Sequence, residues 1–290
     1  MPIKESELIL NPDGSVYHLN LKPEHLADKI IFVGDQDRVE RITKHFDSIE
    51  FTIQKREFKT QTGYYKGNHI TVISTGIGPD NIDIVMNELD ALANIDLKTR
   101  LPKAQHKSLQ IVRVGTSGSL QKDIPIDSFL CSSHGLDLNG MLYAYKLDGI
   151  GNPKMEDAFI AHTNWHSHKS RPLVIENSKR LEEQFKGSNM HLGMTATAGG
   201  FYGPQGRVLR LQLQDDQLNS KIDSFEFQGI RVTNLEMETS AIYGLSKLLG
   251  HEALSLNAII ANRATGEFSA NPKQIVNELI IYALDKIAGR

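Results

Sequence analysis

The chain has 290 residues, 40% of them hydrophobic, enough to bury one large core, and no compositional break divides it, so a single domain over 1–290 is expected. A formal net charge of −3 without any long basic block argues against a general nucleic-acid or membrane-surface binder, while leaving a small anionic ligand possible, since that needs only a few placed arginines. The lone cysteine, Cys131, has no partner for an internal disulfide, the opening MPIKESELIL lacks the basic start and apolar run of a signal peptide, and no run approaches about 18 apolar residues; a cytosolic protein is expected.

In chain order, KIIFVG (29–34) reads as a buried strand and DQDRVERITKHF as the helix after it. KREFKTQTGYYKGNHITVISTG reads as paired strands turning at Lys66–Asn68. The helix that follows, from about Asp80, puts Ile82, Val85, Met86 and Leu89 on one face. LQIVRVGTSG (109–118) and FLCSSHG (129–135) are further strands, and the stretch to about 172 reads as irregular. Helices are expected near 176–186 and 238–249, strands near 191–198, 229–234 and 253–261, and a closing helix in NPKQIVNELIIYALDKIAG with Ile275, Val276, Leu279 and Leu284 inward. Strands alternating with helices predict an α/β fold with a sheet covered on both faces. The segments 96–108 and 135–172 read as surface insertions.

Four stretches carry possible chemistry. In VGDQDR, Gly34 lets backbone approach a ligand and Arg38 follows one helical turn later, where helix N–H groups suit an anion. In IVRVGTSGS, Arg113 interrupts an apolar strand, which is costly unless it pairs with an acid or an anion or faces solvent at a sheet edge; Thr116, Ser117 and Gly118 come next. No Gly-Lys-Ser/Thr follows, so this is not a P-loop. In AGGFYGPQGR, Phe201 and Tyr202 can stack on a planar ring while Gln205 and Arg207 read its edge, an amide matching an adjacent C=O and N–H pair. In NLEMETSAIYGL, Glu236 and Glu238 flank Met237 at a strand-to-helix junction, where carboxylates favour the helix start and also accept from a sugar diol, with the methionine offering a soft apolar surface. His162, His166 and His168 lack a matching cysteine or carboxylate pattern, so no metal is expected.

Taken together and in order, VGDQDRV, KREF, STGIG, VRVGTSGSLQ, FYGPQGR, NLEMET and IIANR resemble nucleoside phosphorylase family I, uridine phosphorylases most closely, from about VYHLNL to the last helix. The resemblance implies a mixed, distorted central sheet flanked by helices and a reversible phosphorolysis of uridine to uracil and ribose 1-phosphate. It implies a phosphate site of Gly34, Arg38, Arg113 and Thr116, with Arg56 reaching it from a neighbouring subunit; a base site of Phe201, Gln205, Arg207 and Arg263; and a ribose site of Glu236, Met237, Glu238 and a subunit-crossing His18. Arg113, Gln205 and Arg207 would carry the catalysis. Phosphate would be co-substrate, no cofactor would be needed, and the assembly would be a homo-oligomer, dimer or hexamer.

The sequence departs from the family pattern in a shorter STGIGPDN and in Gly203–Pro204, which replaces a Pro–Gly order. Hexameric purine nucleoside phosphorylases place an acid near the end of the strand after the ribose helix, able to protonate the leaving base. Asn262 stands here, and an amide is no general acid, so uracil is favoured over a purine. A non-catalytic nucleoside-binding protein is the reading from a different class.

Overall fold

In the computed structural model, which describes residues 1–147 and 149–289, most of the strands build one large sheet. It opens with β1 (Lys29–Val33), α1 (Gln36–Thr43), β2 (Ser48–Lys55), β3 (Phe58–Tyr65), β4 (Asn68–Ser74) and α2 (Pro79–Asn94). A short ribbon of β5 (Ile95–Asp96) and β6 (Leu101–Pro102) precedes β7 (Gln110–Ser119), β8 (Phe129–Asp137), α3 (Pro153–Thr163), β9 (Leu173–Glu176) and α4 (Lys179–Gln184). The chain ends with β10 (Met190–Thr197), α5 (Leu218–Asp223), β11 (Glu226–Phe227), β12 (Ile230–Glu236), α6 (Thr239–Leu249), β13 (Glu252–Asn262), β14 (Glu267–Phe268) and α7 (Pro272–Ile287).

The 12-stranded sheet runs β11-β12-β10-β8-β13-β7-β1-β4-β3-β2, with β9 on β8 and β14 on β13. It is mixed: β1, β7 and β13 are parallel, while β13 meets β8 antiparallel and the end of β12 returns antiparallel onto β7 through Leu235 opposite Gly118. The central strand β1 carries an unbroken apolar run, and β7 one broken by Arg113, because helices cover both faces. On one face α2 and α6 bury Ile82, Met86, Leu89, Ile242 and Leu245. On the other, α1 and α7 bury Val39, Ile42, Val276, Leu279 and Leu284. The double contact of β7, with β13 along its length and with β12 at its end, brings the carboxyl ends of several strands to one place, where open α/β sheets bind ligands.

Three expectations need correction. The stretch 135–172 is not irregular throughout, because α3 lies within it, capped by the Asn152 side chain and started by Pro153. Its inward face holds Met155, Glu156, Phe159 and Thr163, and a carboxylate and a hydroxyl on that face blur the apolar periodicity. Glu156 is buried there, accepting from the Asn152 and Val174 backbone N–H groups. The paired strands at 55–76 have a further partner, β2, an edge strand whose exposed polar residues give no core signal. The helix near 176–186 is shorter than expected, and β9 occupies its start. No described helix is long and apolar enough to cross a membrane.

Candidate active site

Arg113 lies inside the sheet, not at an edge. It is 7% exposed on β7, between β1 and β13. Of the alternatives left by the sequence, pairing with acids is what the structure shows: Nη2 donates to Glu238 Oε2 at 2.6 Å and stands 3.4 Å from Glu236 Oε2, while Nη1 donates to Asn257 Oδ1 at 3.0 Å. Burial alone would pull the guanidinium's pKa down, but the two carboxylates more than offset it and raise it. The side chain folds back along its own strand, over Gly115. A methyl group there would fall 1.9 Å from Arg113 Nη1, so only glycine leaves room.

Arg38 comes to this place from the start of α1. Asp35 caps that helix, accepting from Arg38 N, and its other oxygen pairs with Arg38 Nη2 at 2.8 Å. Arg38 Nη1 reaches the Val114 carbonyl on β7. Burial pulls the Arg38 pKa down, and repulsion from Arg113 adds to this, which places the two guanidinia in each other's field. Arg38 Nε is buried with no hydrogen-bond partner among the described residues, as expected of a donor held for a ligand. Gly34 precedes the cap and Thr116 is half-buried at the carboxyl end of β7.

The junction of β12 with α6 presents the two glutamates differently. Glu236 Oε1 accepts from the Thr197 hydroxyl at 2.7 Å, and its carboxylate also accepts from the backbone N–H groups of Glu238 and Thr239. It satisfies donors that the first turn of α6 leaves open. Burial pushes its carboxyl above the usual range, Arg113 opposes the shift and Glu238 adds to it. Glu238 Oε1 accepts from Gly78 N at 2.9 Å, and its Oε2 from Arg113. Gly78 has φ +99°, a conformation that suits glycine, and Pro79 begins α2 directly after it. Met237, between the two acids, is half-buried.

The loop after β10 gathers the expected base residues. Gln205, 3% exposed in a short 3-10 turn, accepts at Oε1 from Arg207 Nη1 (2.6 Å), while its carbonyl accepts from Arg263 Nη1 (2.6 Å) and Asn219. Gln205 Nε2 makes no hydrogen bond among the described residues. The Arg207 guanidinium lies 3.8 Å from the centre of the Phe201 ring, and Phe201 and Tyr202 are exposed. Burial lowers the pKa of Arg207, and that of Arg263 falls through burial and repulsion from Arg207. Arg263 also approaches β7, its Cγ 3.7 Å from where a Cβ on Gly118 would be. Asn262 beside it is fully engaged: Nδ2 donates to the Gln121 and Ile124 carbonyls, and Oδ1 accepts from Ala264 and Thr265 N–H groups.

His18 and Arg56 make their side-chain contacts elsewhere. His18 Nδ1 is 2.6 Å from Glu88 Oε1 on α2, and Glu88 also accepts the His18 and Leu19 N–H groups. Arg56, exposed at the β2–β3 turn with φ +55°, has its guanidinium 5.9 Å from the Tyr17 ring centre. Neither side chain hydrogen-bonds the other expected site residues among the described residues. His162 bonds Ser224, and no described group of His, Cys, Asp and Glu is arranged to hold a metal ion. Sequence reasoning missed Gly78, Gly115, Thr197 and Asn257, the residues that hold Glu238, Arg113 and Glu236. Gly78 and Gly115 lie within STGIG and VRVGTSGSLQ, and a glycine in mid-strand two residues after an arginine is the signal that could have singled out Gly115.

The chain matches the Phosphorylase superfamily over residues 28–283. It is similar to a uridine phosphorylase of Thermococcus kodakarensis, 30% identical over 262 residues, covering 88% of this chain and 80% of the relative. It is also similar to a DeoD-type purine nucleoside phosphorylase of Oceanobacillus iheyensis, 25% identical over 273 residues, covering 93% and 98%. A crystal structure of a Trypanosoma brucei nucleoside phosphorylase that shows uridine phosphorylase activity superimposes with a TM-score of 0.87 at 29% identity, covering 98% of this chain and 100% of the other.

Proposed function

The chain belongs to the phosphorylase superfamily, and from that premise we propose that it is a pentosyltransferase that catalyses the reversible phosphorolysis of uridine to uracil and ribose 1-phosphate. The observation that carries this reading is the buried Arg113, held against Glu238 and within the field of Arg38, so that an anion site and a diol acceptor share one guanidinium. Breaking a glycosidic bond builds positive charge on the ribose ring and negative charge on the departing base. Phosphate held by Arg38, Arg113 and Thr116, with Gly34 giving close backbone approach, is both nucleophile and counter-charge below the ring. Above it, Gln205, Arg207 and Arg263 stabilise the anionic uracil, and Phe201 covers its face. Donors fixed before the reaction and shielded from water stabilise such charge at little reorganisation cost. The reaction needs no covalent enzyme intermediate and no organic cofactor.

The base preference rests on Asn262. Its Nδ2 holds the Gln121 and Ile124 carbonyls after β7 and its Oδ1 the turn after β13, so this position carries an engaged amide and not an acid that could protonate a purine. The assembly is a cytoplasmic homo-oligomer in which His18 and Arg56 complete a neighbour's ribose and phosphate sites. This is supported by the side chains of both lying against Tyr17 without a hydrogen bond to the other site residues among the described residues. A panel of uridine, thymidine, inosine and adenosine, each with and without phosphate, tests the proposal: cleavage of uridine only with phosphate supports it. Cleavage of inosine in preference to uridine would move the protein to the purine enzymes, and binding without cleavage to the non-catalytic reading.

A further inference from the structure

Part of the sheet closes on itself: β7 pairs with β13, β13 with β8, β8 with β10, β10 with β12, and β12 returns to β7. Across each of these pairings one buried polar side chain bonds the next. Arg113 Nη1 donates to Asn257 Oδ1 at 3.0 Å, Asn257 Nδ2 donates to Ser132 Oγ at 3.4 Å, and the Ser132 and Thr195 hydroxyls meet at 2.5 Å. Thr195 gives its proton to Asn234 Oδ1 at 2.7 Å, so the Ser132 hydroxyl donates to Thr195. Asn234 Nδ2 then donates to Ser117 Oγ at 2.8 Å, back on β7. Every bond runs in one sense, from the guanidinium of Arg113 round to the hydroxyl of Ser117.

Asn257, Ser132, Thr195 and Asn234 are 0% exposed, so none of them touches a ligand. Polar groups at such depth cost stability unless hydrogen-bonded, and apolar side chains of like volume avoid that cost. What the polar ones add is a single defined arrangement, because donors aligned in sequence polarise one another and a cation at the head strengthens the bond it makes. Both ends of the chain lie in IVRVGTSGS: Arg113 meets Glu238, and Ser117 sits between Thr116 and Gly118. We propose that Asn257, Ser132, Thr195 and Asn234 are positioning residues that hold Arg113 and the Thr116–Gly118 stretch in fixed relation for phosphate, so that Thr195 governs the affinity for an anion it does not touch. The inference deepens the phosphate part of the proposed function and rests on it.

The test is binding of inorganic phosphate by titration calorimetry, with Tm and the release of uracil from uridine measured alongside. The proteins are the wild type, Thr195→Val, Thr195→Ser, Ser132→Ala and the double variant Ser132→Ala with Thr195→Val. Thr163→Val is the control, since it removes an equally buried hydroxyl that bonds the Phe159 carbonyl of its own helix. Thr195→Val and Ser132→Ala are each expected to weaken phosphate about tenfold, and the double variant by about the same factor, because residues of one chain do not act additively. Thr195→Ser keeps wild-type affinity, and Thr163→Val lowers Tm without changing phosphate binding. Should Thr195→Val not fold, Ser132→Ala carries the comparison. Wild-type phosphate affinity in a folded Thr195→Val or Ser132→Ala protein overturns the inference. So does a double variant weakened by about the product of the single factors, or a Thr163→Val protein weakened as much as Thr195→Val. A wild type that binds phosphate but releases no uracil with it overturns the uridine reading, and the same phosphate comparison still decides the chain; a wild type that binds no phosphate overturns both.

Discussion

Replacing Gly115 by alanine tests whether the site depends on the folded-back pose of Arg113. The added methyl would stand 1.9 Å from Nη1, 2.4 Å from Cζ and 2.8 Å from Nη2 of that arginine. Ordinary contacts need about 3.5 Å or more, so the guanidinium must move by more than an ångström. Such a shift breaks the 3.0 Å bond to Asn257 and the 2.6 Å bond to Glu238. Loss of one charge-assisted contact at the reacting centre costs about 3 kcal/mol, or roughly a hundredfold in rate, and overpacking costs the fold about 1–3 kcal/mol. Gly115 is not among the positive-φ residues, so alanine fits its backbone and the damage comes from the clash alone. The assay is initial rate against phosphate at saturating uridine, with Tm measured alongside. A folded Gly115→Ala enzyme is expected to lose about a hundredfold in kcat/KM for phosphate. Near-wild-type phosphate kinetics in a folded variant would refute the pose of Arg113 as the basis of anion binding.

Gln205→Ala should lower kcat/KM for uridine by about 2 kcal/mol, some thirtyfold, with kcat falling as well as KM rising, because a buried polar contact that strengthens as uracil becomes anionic is lost; steady-state kinetics decide this. Mixing inactive Arg56→Ala chains with inactive Arg113→Ala chains should restore part of the activity if sites are shared, since a hybrid dimer holds one site free of both changes; no recovery after proven subunit exchange counts against sharing. Burial lowers the pKa of His134 below its ordinary value of 6.5, so the unfolded chain binds that proton first and stability falls as pH drops through about 6.5 toward the folded value. His134→Gln should flatten the decline of Tm between about pH 7.5 and 5.5, a slope readable by calorimetry.

Much of the fold was legible because its central strands are apolar runs and its helices repeat apolar residues at helical spacing, as α2 and α7 show. What escaped was structure whose inward face is polar or whose strand is exposed: Glu156 lies on the buried face of α3, and β2 runs along an edge. The site residues were legible as types, since a guanidinium inside IVRVGTSGS demands an acid or anion. The partners that hold each of them were not. Glu236 and Glu238 differ only in what folds against them, Thr197 from β10 for one and Gly78 for the other. Such contacts cross about 40 residues and 160 residues of chain, and no local pattern encodes them.

The central claim is that phosphate, and not water, cleaves the bond to uracil. It is tested most directly by incubating the enzyme with uridine and inorganic phosphate and following products by phosphorus NMR together with uracil absorbance. Ribose 1-phosphate formed in equal amount to uracil, and neither formed when phosphate is withheld, is the predicted result. Uracil released at the same rate without phosphate, with free ribose as the other product, would contradict it.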